Sequence, residues 1–247
     1  MKKLIALISF ALCFVFANAQ DATSYQKPSK EIADLLLAPP TPTISVDGKA
    51  QYMLVMERSL YPTVEELGQP EFKIAGMRIN PNNFSLSRQN YIKQLNLKNL
   101  ATGKIVSIAG LPSTLSALSP SWNPSENKIA FYNVTTTAVD VWVIDIKTST
   151  CTKINKSPVN IVLSSKLIWL DDATVLYKIN THTAAQMNKK PITPKGPTIQ
   201  ESLGKVSPSV TYQDLIKSPY DEYAFEFLAT AQLVRNKAGV ETKIGVP

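Results

Sequence analysis

The stretch from Ser119 to Ile154 reads as a turn, a strand, a short loop, a second strand, a turn and a third strand, and its apolar positions set the pattern for the chain. Trp122-Asn123-Pro124-Ser125-Glu126-Asn127 carries turn chemistry, because proline fixes φ and Ser and Asn bond to their own backbone. Lys128 to Val134 and Val139 to Ile146 are rich in β-branched and aromatic residues and predict two strands. Within the second, Val141-Trp142-Val143-Ile144 is apolar at every position. A strand with one wet face alternates, so this run predicts a strand packed on both faces, inside a stack of sheets.

The same reading extends along the chain. Ser29 to Leu37 predicts a short helix, with Ser29 as N-cap, an apolar face from Ile32, Leu35 and Leu36, and a stop at Pro39-Pro40. Thr43 to Arg58 predicts a hairpin around Asp47-Gly48. Tyr61 to Asn90 interrupts the β pattern with a turn of helix holding Glu65 and Glu66 and a loop at Asn80-Pro81-Asn82-Asn83. Strands resume at Tyr91 to Leu97 and Ile105 to Ile108. Asn180 to Thr211 loses the pattern and predicts a long surface insertion, marked by Pro191, Pro194, Pro197 and Pro208. A helix follows, with Ser218 as N-cap, Pro219 at its first position, Asp221 and Glu222 in its first turn, and an apolar face from Tyr223, Ala224, Phe227 and Leu228.

The units repeat. Ser45-Val46-Asp47-Gly48 corresponds to Ser121-Trp122-Asn123-Pro124 and to Ile168-Trp169-Leu170-Asp171. Gln94 to Leu97 with Thr102 to Ile105 corresponds to Val143 to Ile146 with Thr148 to Thr150, and to Gln232 to Val234 with Ala238 to Val240. The fold expected is all-β: a partial β-propeller of about three four-stranded blades with short helical insertions. Propellers close with about four to eight blades, so an incomplete N-terminal propeller over residues 43–247 is expected.

Composition adds a compartment. Lys2-Lys3, an apolar run from Leu4 to Phe16 and Ala17-Asn18-Ala19 form the three parts of a secretory signal peptide over residues 1–19. Residues 20–42 are then a leader and the short helix. Cleavage near Ala19 gives a secreted or periplasmic chain. It removes two lysines and no acid, so a net charge of +7 becomes +5. No later run is long and apolar enough to span a membrane. The basic residues are dispersed, with no basic stripe interleaved with aromatics, which argues against nucleic acid as a partner.

Candidate chemistry is sparse. Cys13 leaves with the signal, so Cys151 has no intrachain disulfide partner. His182, the one histidine, is too little for a metal site and a weak companion for a Cys151 nucleophile. Glu65-Glu66 and Asp221-Glu222 fit helix starts, and Asp171-Asp172 fits a hairpin turn, rather than general acid/base pairs. No nucleophile elbow, phosphate-binding glycine loop or His-Glu-x-x-His motif occurs. Asn83, Asn133 and Asn155 begin N-glycosylation sequons. No catalytic, cofactor-binding or metal-binding residue is assigned, and no cofactor is expected.

Several strings carry a resemblance. They are Ile32 to Leu35 with Ala38 to Pro42; Glu65-Glu66-Leu67-Gly68-Gln69-Pro70-Glu71 with Ala75 to Pro81; Gly196 to Ser202; and Thr211 to Leu215 through Asp221-Glu222. Through them the chain resembles the N-terminal part of secreted serine peptidases of the prolyl oligopeptidase superfamily, in the glutamyl-endopeptidase-like branch. That resemblance implies a β-propeller placed over an α/β-hydrolase domain, which carries a Ser-Asp-His triad and lies C-terminal or on a separate chain. No residue here matches the triad, so the chain alone is expected to be inactive. Its role would be to gate and position peptide substrate, with 180–209 as a rim or domain-contact loop. The alternative is a non-catalytic cell-envelope propeller that binds a protein partner.

Overall fold

The computed structural model describes residues 27–189, 204 and 214–247. The expected signal peptide and the start of the leader lie outside the described residues, as does most of the expected 180–209 loop. The short helix before Ala38 and the chain from Pro39 onward are separate units. Helix α1 (Lys30–Leu36) follows Ser29 as expected, but the Ser29 side chain makes no capping hydrogen bond; Lys30 pairs with Asp34 one turn on.

From Pro39 the chain is a succession of antiparallel strands. Sheet I holds β1 (Thr43–Val46), β2 (Tyr52–Arg58), β6 (Ile92–Asn99) and β7 (Ile105–Val106). Between β2 and β6 lie helix α2 (Val64–Leu67) and a separate three-stranded sheet of β3 (Phe72–Ile74), β4 (Met77–Asn80) and β5 (Ser85–Leu86). Sheet II is an uninterrupted meander of β8 (Ala117–Trp122), β9 (Lys128–Val134), β10 (Val139–Asp145) and β11 (Thr150–Lys153). Sheet III holds β12 (Ile168–Trp169), β13 (Thr174–Asn180), β14 (Ala231–Lys237) and β15 (Val240–Lys243), with helix α3 (Pro219–Ala229) inserted before β14. Sheets I and II touch edge to edge at one residue pair, Ile92–Ala117, so they behave as two leaves. None of the described sheets closes on itself.

The turns explain the repeat. Asp47 Oδ1 accepts from the amides of Gln51 and Tyr52, and Asn123 Oδ1 accepts from those of Asn127 and Lys128. The left-handed residue is Ala50 in the first turn and Glu126 in the second. Gly48 therefore does not supply the positive φ that an Asp-Gly hairpin suggests. It allows close approach instead: a Cβ there would stand 2.9 Å from a Glu126 carboxylate oxygen. The hairpins from third to fourth strand share another device. Asn99, Asp145 and Asn236 each accept, through Oδ1, the amide three residues on, from Thr102, Thr148 and Gly239. This corrects the register expected from sequence by three residues: Asn99, not Asn96, is the counterpart of Asp145. Asn96 bonds Glu57 across the pair of strands.

The apolar run in β10 is packed on both faces, as its pattern requires. Ile129, Phe131 and Ile144 join Leu54, Leu95 and Leu97 of sheet I in one core. Ala130, Tyr132, Val139 and Val141 join Val175, Tyr177 and Val234 of sheet III in another. A third core unites the two insertions: Ile74, Ile79 and Phe84 meet Ala224, Phe227 and Leu228 of α3. Ser218 caps α3 by accepting the Asp221 amide, with Pro219 at the first position. The sequence predicted helix and loop for Tyr61 to Asn90; the additional strands β3 to β5 exist because they have α3 to pack on, a partner more than a hundred residues away.

Candidate functional site

A cavity of about 640 Å³ opens where the first insertion meets sheets I and II. Its walls are α2, the segment following β5, the start of β6, the 111–116 segment and the hairpin between β9 and β10. Helix α2 is only one turn long, and a capping box holds it. Thr63 Oγ1 accepts the Glu66 amide at 3.1 Å, and Glu66 Oε2 accepts the Thr63 amide at 3.0 Å. Glu66 also pairs with Lys93 from β6. Lys93 donates to Ser116 Oγ at 2.9 Å and lies 5.1 Å from the centre of the Tyr91 ring.

Partial burial pushes the Glu66 carboxyl up, but the Lys93 ammonium and the Thr63 amide outweigh it, and the net shift is downward. Burial, with the Glu66 charge beside it, pushes the Tyr91 phenol up to about 12, so it stays neutral. On the far wall Asp140 accepts from Lys153 at 2.7 Å and from Asn155 at 3.1 Å. The shielded Trp142 indole N–H makes no hydrogen bond among the described residues. These groups hold charge, donors and acceptors at fixed places, and no histidine or thiol lines the cavity.

The candidates read from the sequence fall elsewhere or take structural parts. Cys151 is buried in the core between sheets I and II, and burial pushes its thiol up to about 12. His182 stacks on Phe227 at 4.8 Å, against the insertion core, so the fold does not pair it with Cys151. Glu65 and Glu66 both line the cavity, although Glu66 is committed to Thr63 and Lys93. Asp171 caps its own turn by accepting from the Ala173 amide and the Thr174 hydroxyl. Asp172 reaches sheet II and accepts from Ser125 and Asn123. Asp221 sits in the first turn of α3 and accepts the Lys217 amide.

The three sequon asparagines are buried and hydrogen-bonded. Asn83 donates to Thr135 O, Asn133 accepts the Ser116 amide, and Asn155 accepts the Val141 amide. Each thus satisfies a backbone group of the interior. Sequence reasoning missed Lys93, Tyr91, Trp142 and Asn133 as cavity residues. Their local signal is that of strand residues, and only the insertion folding over them makes a cavity.

No family model matches the chain. Two curated plant proteins do match it. A protein of Arabidopsis thaliana named "Probable glutamyl endopeptidase, chloroplastic" is 29% identical over 239 residues, which is 91% of this chain and 25% of that protein. Its namesake in Oryza sativa subsp. japonica is 28% identical over 224 residues, covering 85% of this chain and 24% of that protein. The chain therefore spans about a quarter of the length of these relatives. Among solved structures, the apo AtxE2 isopeptidase matches 57% of this chain and 20% of its own, at 17% identity and a TM-score of 0.31. The Pyrococcus horikoshii acylaminoacyl peptidase matches 62% of this chain and 20% of its own, at 15% identity and a TM-score of 0.32. The chain is related to the peptidase superfamily.

Proposed function

We propose that this chain is the non-catalytic N-terminal part of a secreted serine peptidase of the prolyl oligopeptidase superfamily, on its glutamyl-endopeptidase-like branch. In this reading sheets I to III are successive blades of a β-propeller that gates and positions peptide substrate. Hydrolysis belongs to an α/β-hydrolase domain supplied C-terminally or by a separate chain. The signal peptide delivers the product to the periplasm or the exterior. The observation that carries the reading is the match to two proteins named as probable glutamyl endopeptidases, which covers 91% and 85% of the chain. The succession of four-stranded meanders supports it. A fluorophosphonate serine probe tests it: the purified chain stays unlabelled and hydrolyses no peptide. Labelling that survives denaturing purification would overturn it.

One observation favours the second reading, a module that binds a protein partner. Helix α2 is anchored by its polar residues Thr63 and Glu66, while Val64 is 87% exposed and Leu67 51% exposed. Tyr61, 57% exposed, extends this apolar strip. A stable complex between the purified chain and an unrelated envelope protein, lost on Val64→Asp, would move the conclusion to that reading.

A further inference from the structure

Asp47-Gly48 is the one Asp-Gly step in the sequence. Such a step carries its own reaction. The glycine amide nitrogen attacks Cγ of the aspartate, and the absence of a Cβ on the glycine leaves the approach open. The nitrogen gives its proton to solvent, an N–Cγ bond forms, and the protonated carboxyl oxygen leaves as water. The product is a five-membered cyclic imide. Water then opens it at either carbonyl. Opening at Cγ restores aspartate; opening at the backbone carbonyl leaves isoaspartate, with the main chain rerouted through the side chain. Only water and its protons take part.

The fold places this step where rerouting would do most damage. Asp47 is 5% exposed, and its Oδ1 accepts the Gln51 and Tyr52 amides at 2.7 and 2.9 Å. Its carbonyl accepts the Ala50 amide at 3.0 Å. These bonds shape the hairpin from β1 to β2. The equivalent turn of sheet II starts at Asn123, and the residue after it is Pro124, which has no N–H to give up. Of the two turns, only the first is open to the reaction. It is also the one whose following amide is held from another sheet: the Gly48 N–H donates to Glu126 Oε1 at 2.7 Å. The same contact demands the glycine, because a Cβ there would stand 2.9 Å from that oxygen. Glu126 thus imposes the labile residue and occupies the proton that the reaction must remove.

We propose that Asp47-Gly48 is a site of spontaneous aspartate isomerisation in this chain, and that Glu126 holds the reaction in check by fixing the Gly48 N–H. Both reacting groups are pinned: the carboxylate by Gln51 and Tyr52, the amide by Glu126. The inference rests on one turn and one contact between sheets I and II, and it stands under either reading of the function.

The test incubates the full chain in water enriched in oxygen-18 and follows the Asp47 peptide by mass spectrometry. Each passage through the imide installs a solvent oxygen, and chromatography separates isoaspartate from aspartate. The folded wild-type chain should isomerise more slowly than the same chain unfolded in urea. Glu126→Ala should raise the folded rate about fivefold, the equivalent of one hydrogen bond. Glu126→Gln keeps an acceptor oxygen and should stay near wild type. Two variants control for mere loosening of an interface. Trp122 donates from Nε1 to Ser45 Oγ at 2.9 Å across the same interface, as Trp169 of sheet III does to Ser121 O of sheet II at 3.1 Å. Asp172 accepts the Ser125 amide at 2.8 Å at the next interface. Trp122→Phe and Asp172→Ala should both leave the rate at Asp47 unchanged. Circular dichroism checks that each variant is folded. Should the alanine variant unfold, Glu126→Asp, whose shorter side chain draws the carboxylate back from the amide, repeats the test.

A wild-type rate in the folded Glu126→Ala chain overturns the proposal. So does equal acceleration by Trp122→Phe or Asp172→Ala, because loosening and not the Gly48 bond would then govern the rate. Glu126→Gln reacting as fast as Glu126→Ala overturns it too, as does a folded wild-type chain that isomerises as fast as the unfolded one.

Discussion

The interface between sheets I and II and that between sheets II and III share an indole and a turn carboxylate, yet the second is held by far more polar contacts. At the first, the carboxylate of Glu126 reaches only the Gly48 amide among its neighbours across the interface, in an exposed turn. At the second, Glu241 of β15 accepts from the Lys156 amide at 2.8 Å, the Ser157 hydroxyl at 2.6 Å and the Tyr177 hydroxyl at 2.8 Å. Asn236, bonded to the Tyr177 hydroxyl within sheet III, also donates to the Ile154 carbonyl just past the end of sheet II. Apolar burial supplies adhesion at both interfaces. The second also fixes the connection from sheet II to sheet III, because Lys156 and Ser157 lie in that connection. A covered face is therefore one thing and a locked hinge another.

The largest expected effect tests the apolar side of this comparison. Phe131 and Tyr132 are adjacent in β9, and each is at most 1% exposed, facing sheet I and sheet III respectively. Phe131→Ala and Tyr132→Ala each cost about 3–5 kcal/mol in urea denaturation, because both leave a cavity in a packed core. A much smaller loss at one would show that its interface is loose.

The next effect separates the two interfaces. Glu241→Ala leaves four donors, the Lys156 and Ser157 amides and the Ser157 and Tyr177 hydroxyls, without their acceptor and costs about 2–3 kcal/mol. Glu126→Ala, at the simpler interface, costs about 1 kcal/mol or less. Equal costs in denaturation would remove the distinction.

Acid sharpens it further. Partial burial pushes the Glu241 carboxyl up, but hydrogen bonds from Ser157, Lys156 and Tyr177 outweigh it and hold it below the ordinary 4.5. Asp172 is also held low, by the Ser125 hydroxyl and amide. A carboxyl whose pKa is depressed on folding contributes stability above its unfolded value and loses it as pH falls through the folded one. Stability should therefore drop as pH falls below about 4.5. Glu241→Gln should flatten that drop, measured by thermal melting across the acid range. The smallest effect comes from the indoles: Trp122→Phe and Trp169→Phe each cost about 1 kcal/mol, the worth of one hydrogen bond.

Much of this was legible beforehand. The apolar run Val141 to Ile144 announced a strand covered on both faces, and the turn at Asn123 and the start of α3 at Ser218 fell where their residues predicted. The insertion strands β3 to β5 were not legible. They are three, four and two residues long, too short to show a period, and they exist because α3 covers them. Nor was the cavity, whose Lys93 and Trp142 read as ordinary strand residues until α2 folded across them. The sequons at Asn83, Asn133 and Asn155 match a pattern common by chance, and their asparagines are interior hydrogen-bonding groups.

The sequence alone determined the longer strands of the three sheets and the recurrence of one four-strand unit, because alternation and Asx capping act over two to five residues. The tertiary structure decided which unit leans on which. The bonds from Trp122 to Ser45, Asp172 to Ser125 and Glu241 to Ser157 span 77, 47 and 84 residues. No local pattern specifies such pairs; they form only when stacked sheets bring remote turns within hydrogen-bonding reach.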